Sequence, residues 1–389
     1  MLSFEGILWL EKWDICLTSF LNANYTICAF SSPNRFNFLL AAMLKTLLVN
    51  FFLVLAAFLI AGGVGEVYFR FFDPQPITPR YVESTPYGIR KNIGDVRGEM
   101  VTPEYRHNFS TNSQGFRGTT EYNISKPAGI FRVLVLGDSV TLGHGVEDGG
   151  TFSAVLGRSL SRTRPTEVIN MGVSGFGTAE ELIQLREVGL QYQPDVVVVA
   201  YFQNDPYNNM VAKLFSVSNG KLVQLKQTFE PSIFIRDNLY AIPGYNYLCQ
   251  HSHIVNFLRG RASGFFLNRL AQQNQISTQT SRIITPVEAE LTGLLLNEVE
   301  SELERKQIPL IVLNVPLVMN GEIISNLPLD RVAFKEPQSF LLDLGKTIYL
   351  RYPLAQMAYE KDVHPTPLAH GLIGEELAKF IQAKVWARS

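Results

Sequence analysis

Cysteine is scarce in this sequence, and neither sign of charge is in excess. The three cysteines, Cys16, Cys28 and Cys249, show no C-x-x-C spacing, so neither a zinc site nor a disulfide framework is indicated, and we expect Cys249 to be buried. The 34 basic and 35 acidic residues give a formal net charge of -1, with no basic cluster suited to nucleic acid. We therefore expect no metal, no cofactor and no nucleic-acid partner.

Charge is absent altogether from one long stretch, TLLVNFFLVLAAFLIAGGVG, at residues 46–65. A helix of this length crosses about 30 Å of hydrocarbon, so we predict that residues 46–65 lie in a membrane. Arg35 and Lys45 precede the stretch, which favours a cytoplasmic N-terminus with everything after residue 70 outside the cytoplasm. The small residues 61–63 also suit a signal-peptidase site, so secretion after signal cleavage stays open as an alternative.

Apolar runs alternate with amphipathic segments from residue 129 onward. Three runs are typical of buried strands: FRVLVLG (131–137), PDVVVVAYF (194–202) and IPLIVLNVP (308–316). Helix starts are indicated at Thr178 with Glu181, and at Thr285 with Pro286 and Glu288. The second helix then has one apolar face, formed by Val287, Leu291, Leu294, Leu295, Val299 and Leu303. This alternation predicts an α/β fold, with a mainly parallel sheet covered by helices on both faces.

Ser139 follows the first predicted strand, in the stretch GDSVTLG at residues 137–143. Ligands of open α/β sheets bind beyond the carboxyl ends of the strands, but a serine at such a position also serves as a helix cap. A nucleophile needs a base, a group that orients the base, and donors for the oxyanion. Later stretches offer them: the Gly175 N–H in INMGVSGFGT, the Asn204 amide in YFQNDPYNN, and Asp362 with His364 in EKDVHPTPLAH.

These four stretches, in this order, resemble the blocks of the SGNH hydrolases, also called GDSL esterases and lipases, over roughly residues 130–385. The resemblance implies a flavodoxin-like three-layer α/β/α sandwich. It implies Ser139 as the nucleophile and His364 as the general base. It also implies an oxyanion hole formed by the Ser139 N–H, the Gly175 N–H and the Asn204 side chain.

One departure from the family concerns the acid that orients the base. The family has an aspartate three residues before the histidine, where this chain has Lys361, and Asp362 lies only two residues before His364. We expect Asp362 to orient His364, with Glu360 or a backbone carbonyl as alternatives. Three further residues are expected outside the proton transfer: Asp138 as a partner of backbone N–H groups, His370 in a structural role, and His144 in an exposed loop.

The segments of the chain follow from these patterns. Residues 1–42 form an N-terminal extension, for which two interpretations stay open: translation beginning at Met43, and a short interfacial segment around GILWLEKWDI. The other predicted segments are a signal anchor (43–70), an extended linker that packs on the next domain (71–128), and the hydrolase domain (129–389), with insertions at about 206–284 and 317–357.

The sequence as a whole predicts a membrane-anchored, bacterial-type serine esterase that works through an acyl-enzyme intermediate. The expected substrates are O-acyl esters, of acetyl or short-chain type, on small molecules or on cell-surface or exported glycans. Three alternatives stay open: an O-acyltransferase of polysaccharides, a lipid esterase or lysophospholipase, and a catalytically silent glycan-binding or assembly protein on the same fold.

Overall fold

The computed structural model describes residues 33–225, 231–274, 283–332, 334–336 and 338–388. The chain forms two compact units, Met1–Gly65 and Glu66–Ser389. The predictions for residues 1–32, which include Cys16, Cys28 and the interfacial segment, lie outside the described residues. Cys249 is buried, as predicted.

A single long helix, α1 (Pro33–Phe71), is the first described element. Its stretch Leu40–Phe71 has 32 residues and a mean hydropathy of 2.5 over its most apolar window, no part of which is buried. At about 1.5 Å per residue, this stretch is long enough to cross the hydrocarbon core of a membrane, which is about 30 Å thick. The predicted span, residues 46–65, lies entirely within it.

A parallel sheet of five strands forms the centre of the second unit. In spatial order, the strands are β13 (Ser339–Asp343), β10 (Leu310–Val315), β7 (Val196–Phe202), β5 (Phe131–Gly137) and β6 (Thr166–Asn170). Every neighbouring pair is parallel. The three inner strands consist entirely of buried residues, because both faces of the sheet are covered.

Helices cover the two faces of the sheet. On one face, α3 (Phe152–Ser161) and α10 (Pro367–Lys384) pack their apolar residues into one core with the strands. On the other face, α4 (Thr178–Glu187) and α9 (Pro286–Glu304) do the same. The predicted fold class, a three-layer α/β/α sandwich with a mainly parallel sheet, is confirmed, and the candidate apolar helix precedes it.

The remaining elements lie in the connections. Two short helices, α2 (Ser139–Leu142) and α5 (Asp205–Ala212), begin at the carboxyl ends of β5 and β7. Three more connect β9 to α9: α6 (Pro231–Tyr240), α7 (Tyr245–His251) and α8 (His253–Asn274). Short strands form four antiparallel hairpins: β1 (Val82–Ser84) with β2 (Arg90–Asn92), β3 (Arg97–Val101) with β4 (Arg106–Ser110), β8 (Phe215–Ser218) with β9 (Lys221–Gln224), and β11 (Leu317–Met319) with β12 (Glu322–Ile324).

The segment predicted as an extended linker, residues 71–128, holds the β1–β2 and β3–β4 hairpins. Met100 of β3 and Phe109 of β4 share a small buried cluster with Leu142, the last residue of α2. The second hairpin therefore lies against the short helix that begins with Ser139.

Three local details differ from the sequence prediction. Helix α4 is capped by Gly177, whose N–H donates to Glu180 Oε2 at 3.0 Å, and not by Thr178 with Glu181, because Thr178 is already the first residue of the helix. Val287 lies outside the apolar face of α9 and is 55% exposed, since it precedes the first buried turn. Residues 317–357, predicted as an insertion, contain the edge strand β13, which is too short to show a clear apolar period.

Candidate active site

Ser139 is the first residue of α2 and directly follows the turn after β5. Asp138 caps this helix, since its Oδ1 accepts a hydrogen bond of 2.8 Å from the Val140 N–H. Gly137 has a φ of +155°, and a Cβ there would collide with the Thr141 side chain. This tight strand–turn–helix connection leaves Ser139 half-buried, with its hydroxyl beside His364.

Ser139, His364 and Asp362 form a continuous hydrogen-bonded chain. The His364 Nε2 lies 2.8 Å from the Ser139 Oγ, and the His364 Nδ1 lies 2.5 Å from the Asp362 Oδ1. The imidazole therefore has an acceptor on one side and a hydroxyl on the other. In the neutral tautomer with its proton on Nδ1, Nε2 is free to accept the serine proton.

The backbone between Asp362 and His364 accounts for the unusual spacing of these two residues. The His364 N–H donates to the Asp362 carbonyl at 2.5 Å, across Val363, whose φ is +49°. This is a γ-turn of the rare form with positive φ, and a β-branched residue adopts it only under constraint. The turn folds the aspartate back onto the imidazole. An aspartate two residues before the histidine therefore reaches the ring, although the family spacing is three residues.

Glu104, from the turn between β3 and β4, holds this loop from outside. Its carboxylate accepts hydrogen bonds of 2.8 to 2.9 Å from the backbone N–H groups of Glu360, Lys361 and Asp362. Glu360, the alternative orienting acid, is exposed and contributes to the loop through this backbone contact. Three donors on one carboxylate restrict the loop strongly, because hydrogen bonds to a charged acceptor are the stronger kind.

Tyr105 supports the Asp362 carboxylate directly by donating a hydrogen bond to it. Burial alone would raise the pKa of Asp362, but the hydrogen bonds from His364 and Tyr105 outweigh burial and lower the pKa below its usual value. Burial, and then the contact with Asp362, raises the pKa of the Tyr105 hydroxyl. Asp362 is therefore ionised and Tyr105 protonated at neutral pH, as the hydrogen bond requires.

Gly175 and Asn204 follow the carboxyl ends of β6 and β7, on either side of β5 in the sheet. Gly175 has a φ of +78°, and its carbonyl accepts a hydrogen bond of 2.7 Å from Arg90, which also pairs with Glu180 at 3.0 Å. Asn204 is buried, and its side chain lies close to the Asp138 carboxyl group. The turn after β6, the cap of α5 and the Ser139 turn are thus brought to the same edge of the sheet.

A comparison of the sequence with known protein families covers the residues at this edge of the sheet. Residues 135–246 match the model of the GDSL-like Lipase/Acylhydrolase family, and the matched range contains Ser139, Gly175 and Asn204. The match gives residues 135–246 as a GDSL-like lipase/acylhydrolase domain. The class predicted from the sequence, a serine hydrolase of the GDSL type acting on ester bonds, is confirmed. Asp362 and His364 lie beyond the matched range of the GDSL-like domain.

Solved structures similar to the GDSL-like domain share little sequence with it. A putative lipolytic protein of the G-D-S-L family from Desulfitobacterium hafniense DCB-2 is 14% identical, over 64% of this chain and 98% of that one, with a TM-score of 0.36. The psychrotrophic esterase EstA from Pseudoalteromonas sp. is 12% identical, over 66% and 99% of the two chains, with a TM-score of 0.36. A two-domain esterase (CEX) active on acetylated mannans is 13% identical, over 66% and 50%, with a TM-score of 0.38. No curated protein matches the sequence.

His144 lies against His364, although the sequence predicted an exposed loop position. The two ring centroids are 5.0 Å apart, and His144 Nε2 lies 2.8 Å from Ser174 Oγ and 3.2 Å from Tyr81 Oη. Burial, and then the proximity of His364, lowers the pKa of His144 well below its usual value, so its ring is neutral. His144 therefore connects the loop after Ser139 to the residue that precedes Gly175. Its place two residues after GDSVTL was visible in the sequence, but its partner Tyr81 lies far upstream.

Two buried carboxyl groups lie behind this site, and sequence analysis missed both. Glu181 of α4 and Asp205 of α5 are fully buried, and burial raises the pKa of each well above its usual value. After burial, the largest cause is repulsion from Asp138 for Glu181 and repulsion from Glu181 for Asp205. Burial also raises the pKa of Asp138, partly offset by the Val140 N–H. Protonated carboxyl groups therefore lie beneath the helix starts that carry Ser139 and Asn204.

The other two predicted roles concern His370 and metal binding. His370 is buried in α10, its Nδ1 accepts the Phe152 N–H at 3.1 Å, and burial lowers its pKa to about 3. Across the ranges that the structure describes, no group of three or more His, Cys, Asp or Glu residues is arranged to hold a metal ion.

Proposed function

We propose that this protein is a membrane-anchored serine esterase, in which Ser139 is the nucleophile, His364 the general base and Asp362 the orienting acid. One observation carries the assignment: the hydrogen-bonded chain from Ser139 Oγ through both nitrogens of His364 to Asp362 Oδ1, at 2.8 and 2.5 Å. A serine that merely capped α2 would not need an imidazole on its hydroxyl, and here Asp138 is the capping residue.

The reaction follows the usual order for a serine esterase. Ser139 Oγ attacks the ester carbonyl carbon while its proton passes to His364 Nε2, and Asp362 stabilises the resulting imidazolium. The tetrahedral intermediate collapses when the alcohol leaves with the proton from His364, and the acyl group stays on Ser139. Water then attacks the acyl-enzyme with His364 again as base, which releases the carboxylic acid and regenerates the serine.

We assign the oxyanion hole to the Ser139 N–H, the Gly175 N–H and the Asn204 side chain. Their positions at the ends of three adjacent strands support this assignment, because donors from separate elements then converge near one hydroxyl. The positive φ of Gly175 turns its carbonyl toward Arg90, where a 2.7 Å hydrogen bond holds it. This bond holds the 175–176 peptide, which directly follows the peptide that carries the Gly175 N–H, and so restricts the turn before substrate arrives.

We propose O-acyl esters on exported or cell-surface glycans as the substrates, with short acyl groups. The support is location: Arg35 and Lys45 precede the span in α1, and Glu66 and Arg70 follow it, which favours a GDSL-like domain outside the cytoplasm. A reporter fused to the C-terminus that is active only outside the cytoplasm tests the orientation. An inactive fusion would contradict it.

The nucleophile is tested with a fluorophosphonate probe on the detergent-solubilised full chain, followed by peptide mapping. We expect the adduct on Ser139, its loss in Ser139→Ala, and its retention in Ser174→Ala, the matched nearby serine. Hydrolysis of an aryl acetate should disappear with the adduct. Labelling elsewhere on folded protein would contradict the assignment.

Product analysis separates hydrolysis from acyl transfer and identifies the substrate class. When a donor ester and an acceptor oligosaccharide are supplied together, we expect free acid to accumulate faster than acylated oligosaccharide. The reverse would make the protein a transferase. A panel containing acetylated glycan, lysophospholipid and aryl esters then compares kcat/KM, and a preference for lysophospholipid would replace the glycan proposal.

A further inference from the structure

Helix α8 is a 22-residue helix that the domain core leaves mostly uncovered. Its residues Leu258, Arg261, Ala262, Phe265 and Arg269 recur at helical spacing and are all exposed, and Phe266 lies beside them. Leu258, Phe265 and Phe266 are 59%, 61% and 61% exposed. Large apolar side chains in such a row mark an interaction site when they form one continuous surface.

The start of α8 is fixed to the end of the candidate span. The carboxylate of Glu66 accepts hydrogen bonds from the Ser252 hydroxyl and from the N–H groups of His253 and Ile254 at the N-terminus of α8, at 2.8 to 3.1 Å. Arg70 donates to the His251 carbonyl at 2.8 Å. A carboxylate at a helix N-terminus is a favourable pairing, so α8 has a defined attachment point.

An aromatic contact indicates how deep this attachment point lies in the membrane. Phe69, within the last turn of α1, stacks on Phe257 of α8, with 4.3 Å between the ring centroids. Tyr68, Phe71 and Phe72 beside it are exposed. Tyrosine at the end of a membrane span lies at the level of the lipid headgroups, and Tyr68 precedes Phe69 directly. Phe257 therefore places the first turns of α8 at the same level.

The charge of this region also suits a lipid surface. Residues 238–287 contain four arginines and no aspartate or glutamate, in a chain whose formal net charge is -1. Arg261 lies over the Phe257 ring at 5.2 Å, so a guanidinium accompanies the aromatic contact. Arginine beside exposed apolar side chains suits a membrane surface, because its apolar stem packs on apolar groups while the guanidinium reaches anionic headgroups.

We propose that α8 lies on the membrane, with Leu258, Phe265 and Phe266 inserted among the lipids and with Arg261 and Arg269 on anionic headgroups. The proposal rests on the membrane span of the proposed function. It gives the GDSL-like domain a second attachment. Helix α6 connects this region to the active site. Its Asp237 accepts hydrogen bonds from the N–H and hydroxyl of Ser84 in β1, at 3.2 and 2.7 Å. Strand β1 pairs with β2, which carries Arg90, the partner of Gly175.

The test uses the full chain reconstituted in vesicles that contain phosphatidylglycerol. A fluorescent label is placed at Phe266→Cys, in a background with Cys16→Ser and Cys28→Ser and with the buried Cys249 retained. Ile124→Cys is the matched control, since Ile124 is 55% exposed and its carbonyl contacts Arg132 at the amino end of β5. Phe58→Cys reports on the span itself. Each label is quenched in parallel by nitroxide lipids and by aqueous iodide.

We expect nitroxide lipids to quench the labels at 266 and 58 more than iodide does, and the reverse at 124. Quenching by lipid at 58 and by iodide at 266 would overturn the proposal and leave the anchor in place. Quenching by iodide at both would overturn the proposal and the anchor together. Lipid quenching at 266 with iodide quenching at 58 would reject the anchor, and it would overturn α8 as a second attachment by leaving it as the first. Equal lipid quenching at 266 in pure phosphatidylcholine would overturn the assignment of the arginines to anionic headgroups.

Discussion

Replacing Asp362 with asparagine should lower kcat by about a thousandfold while leaving KM and the melting temperature nearly unchanged. The carboxylate lies 2.5 Å from His364 Nδ1, and its side chain is only 25% exposed. When His364 takes the serine proton, the two charges come to about 4 Å between centres. At an effective dielectric constant of about 20, this pair is worth about 4 kcal/mol, which corresponds to roughly 10³ in rate.

Asparagine also removes the preference for the productive tautomer. Its amide can donate to Nδ1, which then carries no proton, and Nε2 becomes protonated and unable to accept from Ser139. The volume of the side chain does not change, and the Glu104 contact to the Asp362 backbone N–H is retained. We therefore expect the loss in kcat and not in KM, because the missing interaction forms only in the transition state.

The assay is steady-state hydrolysis of an aryl acetate by the solubilised full chain, with a thermal melt of each variant. Glu360→Gln is the matched control, since the same loop carries this exposed acid, and its kcat should stay within about threefold of the parent. If the two variants exchange behaviour, Glu360 orients the base. If neither changes kcat by more than about tenfold, Ser139 and His364 act as a dyad and the reasoning from the Asp362 hydrogen bond is refuted.

Three further predictions concern the oxyanion hole, the base and the buried acids. Asn204→Ala should lower kcat by about 10² to 10³, and a change below about threefold, measured with the same ester, would remove Asn204 from the oxyanion hole. The kcat/KM should fall as pH is lowered, because a protonated imidazole cannot accept the Ser139 proton, and a flat profile between about pH 5 and 8 with rate-limiting chemistry would exclude a histidine base. Burial raises the pKa of Glu181, so the folded protein keeps a proton that the unfolded chain loses, and the free energy of unfolding falls as pH rises above about 4.3. Glu181→Gln should flatten that slope in urea unfolding at about pH 5 and 8, and an unchanged slope would show that Glu181 is not the protonated group.

The sheet was predictable because its inner strands carry continuous apolar runs. Residues 131–137 match the observed β5, and the predicted runs at 194–202 and 308–316 each extend one or two residues beyond β7 and β10. The capping pattern of Thr285, Pro286 and Glu288 was equally clear, and Thr285 caps α9 with Glu288 as its partner. These patterns are local, because each of them lies within about ten consecutive residues of the chain.

The parts that escaped prediction depend on contacts between distant segments. The edge strand β13 has five residues and becomes a strand through its pairing with β10. Glu181 has the spacing of a capping residue in the sequence, but the packing of α4 buries it and gives that role to Glu180. The γ-turn at Val363 is held by Glu104, and nothing in the residues from 360 to 364 alone indicates it.

Glu104 also affects which fragment of this chain we expect to be active. The residue lies 258 positions before Asp362, in a hairpin that precedes the first strand of the sheet, and Tyr105 beside it bonds to the same aspartate. A fragment that started at residue 129 would keep all five sheet strands together with Ser139, His364 and Asp362. It would nevertheless lose the two side chains that hold the acid in place. We therefore expect the smallest active piece of this chain to be larger than its sheet, since a boundary drawn from strand periodicity would divide the proposed active site.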